Sequence, residues 1–111
     1  MTDPSTPQNA SAPVVFFDRR ELEALLRLYG RMVAAGEWRD YAIDGLKDHA
    51  VFSVFQRSSE APLYSIEKRP ALARRQGAWA VTGGGGLILK RGHDLAQVLK
   101  VFERGRFAVV K

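Results

Sequence analysis

The side chains best suited to chemistry in this sequence are basic residues that lie where short predicted elements begin or end. Lysine and arginine can neutralise and hydrogen-bond phosphate groups when a fold brings them together. We therefore predict an anion-binding or nucleic-acid-binding basic rim. The alternative is that these charges are only solvated loop residues, partly neutralised by neighbouring acids. The predicted rim consists of Lys68, Arg69, Arg74, Arg75, Lys90 and Arg91.

Two aromatic residues are candidates to act beside this rim. Trp38 and Tyr41 flank Arg39 and Asp40, and aromatic rings next to arginine often stack on the bases of single-stranded nucleic acids. The alternative is that the rings fill the core, because a small sheet domain needs large apolar side chains inside. We include both residues in the predicted site.

Other chemistries lack the spacing that they need. The chain has no cysteine, and the glycine run at 83–86 leads into a predicted strand, whereas a phosphate-binding loop opens a helix. His49 and His93 are far apart and have no second ligand at metal-site spacing. We predict no catalytic, metal-binding or cofactor-binding residue and favour a non-enzymatic role. An active site in which Asp40, His49 or His93 meets an arginine stays open.

Charge and polarity vary along the chain. Residues 1–13 are polar, include three prolines and only one charged side chain, and have neither the basic start nor the apolar run of a secretory signal. The whole chain has 17 basic and 12 acidic residues and a net charge of +5, and all of the basic residues lie after position 13. We expect a disordered tail over residues 1–13, one domain over residues 14–111, a cytoplasmic location and no membrane span.

Two helices are predicted from apolar residues at three- and four-residue spacing. The first spans residues 18–35 and begins with a capping box formed by Asp18 and Glu21. The second begins at Asp94 or the histidine before it and ends at Gly105. The expected buried stripes are Leu22, Leu25, Leu26, Tyr29, Met32 and Val33 on the first helix, and Leu95, Val98, Leu99 and Phe102 on the second.

The intervening segments alternate between polar and apolar residues, as strands do. Their connections are too short for parallel crossovers except where a helix intervenes. The predicted fold class is α+β, a mainly antiparallel sheet of about five to seven short strands with two helices packed on it. The strands are predicted at residues 14–17, 38–43, 49–56, 63–68, 78–82, 87–90 and 106–110.

Several long stretches of the chain resemble those of a known family. They are LYGRMVAAGEWRDYAID from residue 28, AVFSVFQRSSEAPLYSIEKRP from residue 50, ARRQGAW from residue 73 and LKRGHDLAQVLKVF from residue 89. In these stretches the chain resembles the alphaproteobacterial domain of unknown function 2794 family, and the resemblance covers nearly everything after the tail. The resemblance implies a bacterial, cytoplasmic setting and supplies no activity, cofactor or site residue.

These observations favour a small binding module over an enzyme. The leading hypothesis is nucleic-acid binding, in which the basic rim grips phosphates while Trp38 or Tyr41 contacts bases or sugars. The alternative is an accessory protein that docks on an acidic surface of a larger complex, or self-associates through a sheet edge such as residues 106–110. No oligomeric state is predicted.

Overall fold

The structure is a computed structural model that describes residues 14–57 and 61–110. Within these ranges it has two helices and five strands, which confirms the predicted α+β fold. Short 3-10 turns at Pro70–Leu72 and Gly84–Gly86 lie between the third and fourth strands and between the fourth and fifth strands. The predicted disordered tail lies outside the described residues. The elements are α1 Arg19–Ala34, β1 Asp40–Gly45, β2 Ala50–Phe55, β3 Tyr64–Lys68, β4 Trp79–Thr82, β5 Ile88–Gly92 and α2 Leu95–Val110.

Helix α1 begins at the predicted capping box. The Glu21 amide donates to Asp18 Oδ1 at 2.9 Å, and the Asp18 amide donates to Glu21 Oε1 at 2.8 Å, so two otherwise unpaired N–H groups are satisfied. The buried row of the helix is Leu25, Leu28 and Met32. The predicted stripe omitted Leu28 and wrongly placed Leu26 and Val33 inside, since these side chains are 37% and 42% exposed.

The five strands form an antiparallel sheet in the order β1-β2-β3-β4-β5. β2 lies inside the sheet, as its apolar residues on both faces predict, and β1 and β5 are the edges. One side faces the helices: Phe52, Ile66 and Val81 are opposite one another in register and share a fully buried cluster with residues of α1 and α2. We call the other side, which carries Ser53 and Glu67, the open face.

The segment before α1 is not the strand predicted at residues 14–17. It has no regular secondary structure, and its backbone bond within the described chain runs from the Val15 amide to the Leu46 carbonyl at 2.8 Å, at the turn after β1. Phe17 turns inward and stacks on Trp79 with ring centroids 6.1 Å apart. This segment therefore anchors the start of α1 without pairing as a strand.

The predicted final strand at residues 106–110 is wrong, because α2 continues through Gly105 to Val110. A glycine inside a helix costs about 1 kcal/mol and does not by itself end it. The predicted start is confirmed: Asp94 Oδ2 accepts the Gln97 amide at 3.2 Å, and Leu95, Val98 and Phe102 are buried. The sheet edge proposed for self-association is therefore part of a helix.

Candidate binding surfaces

Lys68 lies on the helix side of β3 and holds the start of α1 against the sheet. Its Nζ donates to Glu21 Oε1 at 2.7 Å and to the Phe16 carbonyl at 2.8 Å. The same ammonium group lies 5.9 Å from the centroid of the Trp79 ring. These contacts occupy Lys68 in joining α1 to the sheet, so its charge is compensated within the fold.

Arg69 and Arg91 belong to the open face. Arg69 Nε donates to Glu67 Oε1 at 3.1 Å. In the register of the sheet Glu67 is opposite Ala80, which is opposite Arg91, so these side chains share the face away from the helices. Lys90 alternates with Arg91 along β5, lies on the helix side of this edge strand and is exposed. The four rim residues at the strands are therefore divided between the two sides of the sheet.

Arg74 and Arg75 lie in the turn that connects β3 to β4, and both are exposed. Contacts to β5 and its end fix this turn in place. His93 Nδ1 lies 3.0 Å from the Ala73 carbonyl oxygen, and Arg91 Nη1 lies 3.4 Å from that of Gly77. The turn thus places two consecutive exposed arginines at one end of the sheet, and Arg69 and Arg91 lie at the same end.

Trp38 is a core residue, which corrects its assignment to a binding surface. Its side chain is 2% exposed and contacts Tyr29, Tyr64 and Phe102, with ring centroids 6.3, 6.3 and 5.2 Å away. A ring surrounded in this way has no face for a base. For Trp38 the alternative prediction, packing in the core, is therefore correct.

Tyr41 is 39% exposed and is part of a surface where α1 meets the edge strand β1. Its ring lies 4.8 Å from that of Tyr29, edge to face, and stacks on Phe52 at 5.3 Å. Tyr29 shares one line of α1 with Leu26 and Val33, because spacings of three and four residues stack on a helix. The contact between the two tyrosines therefore sets this line beside β1.

We call this apolar area the α1/β1 surface. Ile43, 43% exposed, lies on the same side of β1 as Tyr41. At the end of the strand Phe16 lies beside Gly45: a Cβ atom added at Gly45 would be 3.3 Å from the Phe16 ring and 2.9 Å from the Val15 carbonyl oxygen. Several large apolar side chains thus remain accessible together on one flank of the molecule. The members of the surface are Phe16, Leu26, Tyr29, Val33, Tyr41 and Ile43.

The outer backbone of β1 borders this surface. The Leu46 amide donates to the His49 carbonyl at 2.8 Å, which identifies residues of even number in β1 as those that bond to β2. The N–H and C=O groups of Tyr41 and Ile43 therefore point away from the sheet. The outward amide of Tyr41 donates to Asp40 Oδ1 at 2.8 Å, so the Asp40 carboxylate lies at the edge.

Burial, followed by the charges of Asp40 and Tyr41, raises the pKa of the Tyr29 phenol.

The titratable groups considered for catalysis make separate local contacts. His49 Nδ1 lies 2.7 Å from Asp48 Oδ1, and this hydrogen bond is the main reason that the pKa of the Asp48 carboxyl is lowered. His93 bonds instead to the turn at Ala73. Among the described residues no group of three or more histidines and carboxylates is placed to hold a metal ion.

A cleft of about 240 Å³ lies between α1 and α2 and is open to solvent. Its walls are Leu28, Arg31, Met32, Phe102 and Glu103. The two charged side chains stand at an otherwise apolar seam between the helices.

No helix within the described chain is both long and apolar enough to cross a membrane.

Comparison with known proteins identifies the family. The family described as "protein of unknown function (DUF2794)" matches residues 15–99, from the segment before α1 into the first turns of α2. The chain belongs to this family. No curated protein and no solved structure matches it. The matched region includes the whole α1/β1 surface and the turn that carries Arg74 and Arg75.

Sequence reasoning found Tyr41 but assigned it to nucleic acid and missed the surface around it. The sequence feature that indicates this surface is the width of the apolar arc on α1. Apolar residues at 22, 25, 26, 28, 29, 32 and 33 cover more of the helix than one buried row requires. The excess, Leu26 and Val33, is what the helix leaves accessible beside β1.

Proposed function

We propose that this protein is a non-enzymatic protein-binding module that docks a partner through the α1/β1 surface. The observation that carries the proposal is that Leu26, Val33, Tyr41 and Ile43 are each more than one-third exposed, on two adjoining elements. Contiguous apolar patches are uncommon on soluble monomers and mark interaction sites when they occur. Fully burying a leucine- or isoleucine-sized side chain contributes about 1.5–3 kcal/mol, so covering the exposed part of each of these side chains contributes roughly 1 kcal/mol, and several together can support a specific complex.

A substitution in the middle of the surface tests this function. The full chain carrying Ile43→Lys, immobilised and exposed to native lysate, is expected to lose its specific partner, because an ammonium group would then face the apolar contact. The matched control is Ile88→Lys, which places the same charge on the other edge strand at a side chain of similar exposure, 51%. Quantitative mass spectrometry compares both captures with the wild-type capture.

The expected result is a protein that wild type and Ile88→Lys retain and Ile43→Lys depletes by about tenfold or more, equivalent to about 1.4 kcal/mol. Far-UV circular dichroism checks that each variant is folded. Identical captured sets for the two variants would contradict docking at the α1/β1 surface.

A second candidate function, nucleic-acid binding, has one observation in its favour. Arg74 and Arg75 are exposed side by side on an anchored turn, at the sheet end that also carries Arg69 and Arg91. Adjacent guanidinium groups held in one place can bridge phosphates. Because Trp38 is buried, it cannot stack on bases. Binding through these arginines would therefore depend on the phosphate charge of the nucleic acid and not on its sequence.

The test is a salt titration of binding to generic DNA and RNA. If the turn binds phosphates, Arg74→Glu/Arg75→Glu should weaken binding and reduce the salt slope by about 2, one for each lost contact. Arg19→Glu/Arg20→Glu makes the same change in net charge at the exposed start of α1 and should have less effect. Absence of binding at low ionic strength, or binding with no salt slope, removes this candidate.

A further inference from the structure

We infer that the partner contributes an extended segment in which apolar residues alternate with lysine or arginine, and that this segment adds to β1 as a sixth strand. The inference rests on the proposed function and names the chemistry of the occupant. Three features of the molecule support it: the outer backbone of β1, the two different sides of that strand, and its charge.

The outer backbone of β1 favours an added strand. β1 pairs with β2 along one side only, and the outward N–H and C=O groups of Tyr41 and Ile43 have no backbone partner among the described residues. A helix or a loop cannot satisfy such a row in register, whereas an added strand can, because its own groups repeat at the same spacing. The Asp40 carboxylate that accepts the Tyr41 amide occupies the position that a partner carbonyl would take.

The side chains that would flank the new strand differ between its two sides. On the helix side it would lie against Tyr41 and Ile43, with Tyr29 of α1 next to Tyr41, where apolar residues fit. On the open face it would lie against Asp40, Ala42 and Asp44, since these alternate with the first set. Residues of a strand alternate between its two sides, so the occupant needs an apolar residue at every second position.

The charge on β1 selects the remaining residues of the occupant. The ion pairs of His49, Lys68 and Arg69 in the described chain do not involve Asp40 or Asp44, although the protein as a whole is basic. Arg39 and Lys47 lie just beyond the two ends of β1, so the only charged residues within the strand are acidic. Cross-strand neighbours of opposite charge stabilise a sheet and like charges destabilise it. The residues that alternate with the apolar ones should therefore be lysine or arginine.

The same charges argue against a second copy of this chain. Antiparallel pairing of β1 with β1 of another molecule would bring both copies of Asp40 and Asp44 to the same side of the joined sheet. Pairing in which Ala42 meets Ala42 would set Asp40 directly opposite Asp44, and a shift to Ile43 against Ile43 leaves the two Asp44 residues diagonal to each other. Neither register offers a positive charge to these carboxylates.

The experiment uses the full chain and two fluorescent nine-residue peptides. One alternates valine with lysine, and the other has glutamate in place of each lysine. We expect the lysine peptide to bind about tenfold or more tightly than the glutamate peptide by fluorescence anisotropy, from two favourable cross-strand pairs replaced by two repulsive ones. A lysine peptide N-methylated at alternate backbone nitrogens should bind about tenfold more weakly than its parent, because strand pairing requires those amides.

Charge reversal makes the assignment specific. Asp40→Lys/Asp44→Lys should reverse the preference in favour of the glutamate peptide. Glu23→Lys/Glu103→Lys, which changes net charge equally at exposed sites away from β1, should leave it unchanged. Far-UV circular dichroism of each variant checks the fold.

The outcomes separate this inference from the proposed function. If both peptides bind equally and Ile43→Lys abolishes both, the surface is a docking site and the basic occupant is wrong. Absence of lysine-peptide binding at up to about 1 mM, which corresponds to less than about 4 kcal/mol of binding free energy, overturns the inference. Binding that Glu23→Lys/Glu103→Lys weakens as much as Asp40→Lys/Asp44→Lys overturns it too. Concentration-dependent dimerisation that Ile43→Lys abolishes favours a second copy instead.

Discussion

Replacing Gly77 with alanine is expected to lower the free energy of unfolding by about 3–5 kcal/mol, a large share of the 5–15 kcal/mol typical of a small domain. Gly77 precedes β4 with a φ of +104°, which alanine rarely adopts. A Cβ there would lie 2.2 Å from the Gly92 carbonyl oxygen at the end of β5. The obstacle is backbone, so no side chain can rotate to relieve it.

The measurement is chemical denaturation followed by far-UV circular dichroism. Gly84→Ala provides a matched control, because Gly84 is exposed and no atom lies within 4 Å of its Cβ position. That variant should change the free energy of unfolding by about 0.5 kcal/mol or less, as surface substitutions do. Equal losses in the two variants would mean that the close approach between Gly77 and Gly92 does not exist in solution.

The Gly77 contact also bears on function. The turn that carries Arg74 and Arg75 ends at Gly77, where the chain passes against the end of β5. A variant that releases this contact should loosen the turn along with the sheet. Effects of Gly77→Ala on nucleic-acid binding therefore depend on its stability as well and cannot replace the double substitution at Arg74 and Arg75.

Local sequence signals predicted the elements where a short pattern decides the structure. The capping box at Asp18 fixes the start of α1 because both of its bonds form within one turn. The alternation in β2 predicts an interior strand because apolar residues occupy both of its faces. Gly105 is not the end of α2, because one glycine costs a helix only about 1 kcal/mol and the helix continues to Val110.

The predicted site depended on long-range facts that no local pattern contains. Which face a strand residue occupies changes with a shift of one residue in register, so adjacent basic residues such as Lys68 and Arg69 can serve opposite sides of a sheet. The identity of the edges depended on the strand expected at residues 106–110, which became helix. The α1/β1 surface can be recognised only after β1 is known to be an edge and α1 is known to lie beside it.

The second large effect is expected at Trp38, whose replacement with alanine should lower the free energy of unfolding by about 3–5 kcal/mol. The ring is 2% exposed and lies against Tyr29, Tyr64 and Phe102, which come from α1, β3 and α2. Removing it leaves a cavity where three elements meet, and they cannot close it without separating from one another. Denaturation by guanidinium chloride, followed by far-UV circular dichroism, measures the loss.

Trp38→Phe tests how much of the loss depends on the volume of the side chain. Phenylalanine retains an aromatic contact, so this variant should lose only part of the stability. The pair of variants also decides between the two roles of Trp38. A core residue changes stability in proportion to the volume removed, and binding changes only through the loss of folded protein. A stacking residue on the surface would leave the unfolding transition almost unaltered while oligonucleotide affinity fell by about 1–3 kcal/mol per base. Such a result would contradict the burial of this ring and restore the basic rim and its aromatic neighbours as the leading site.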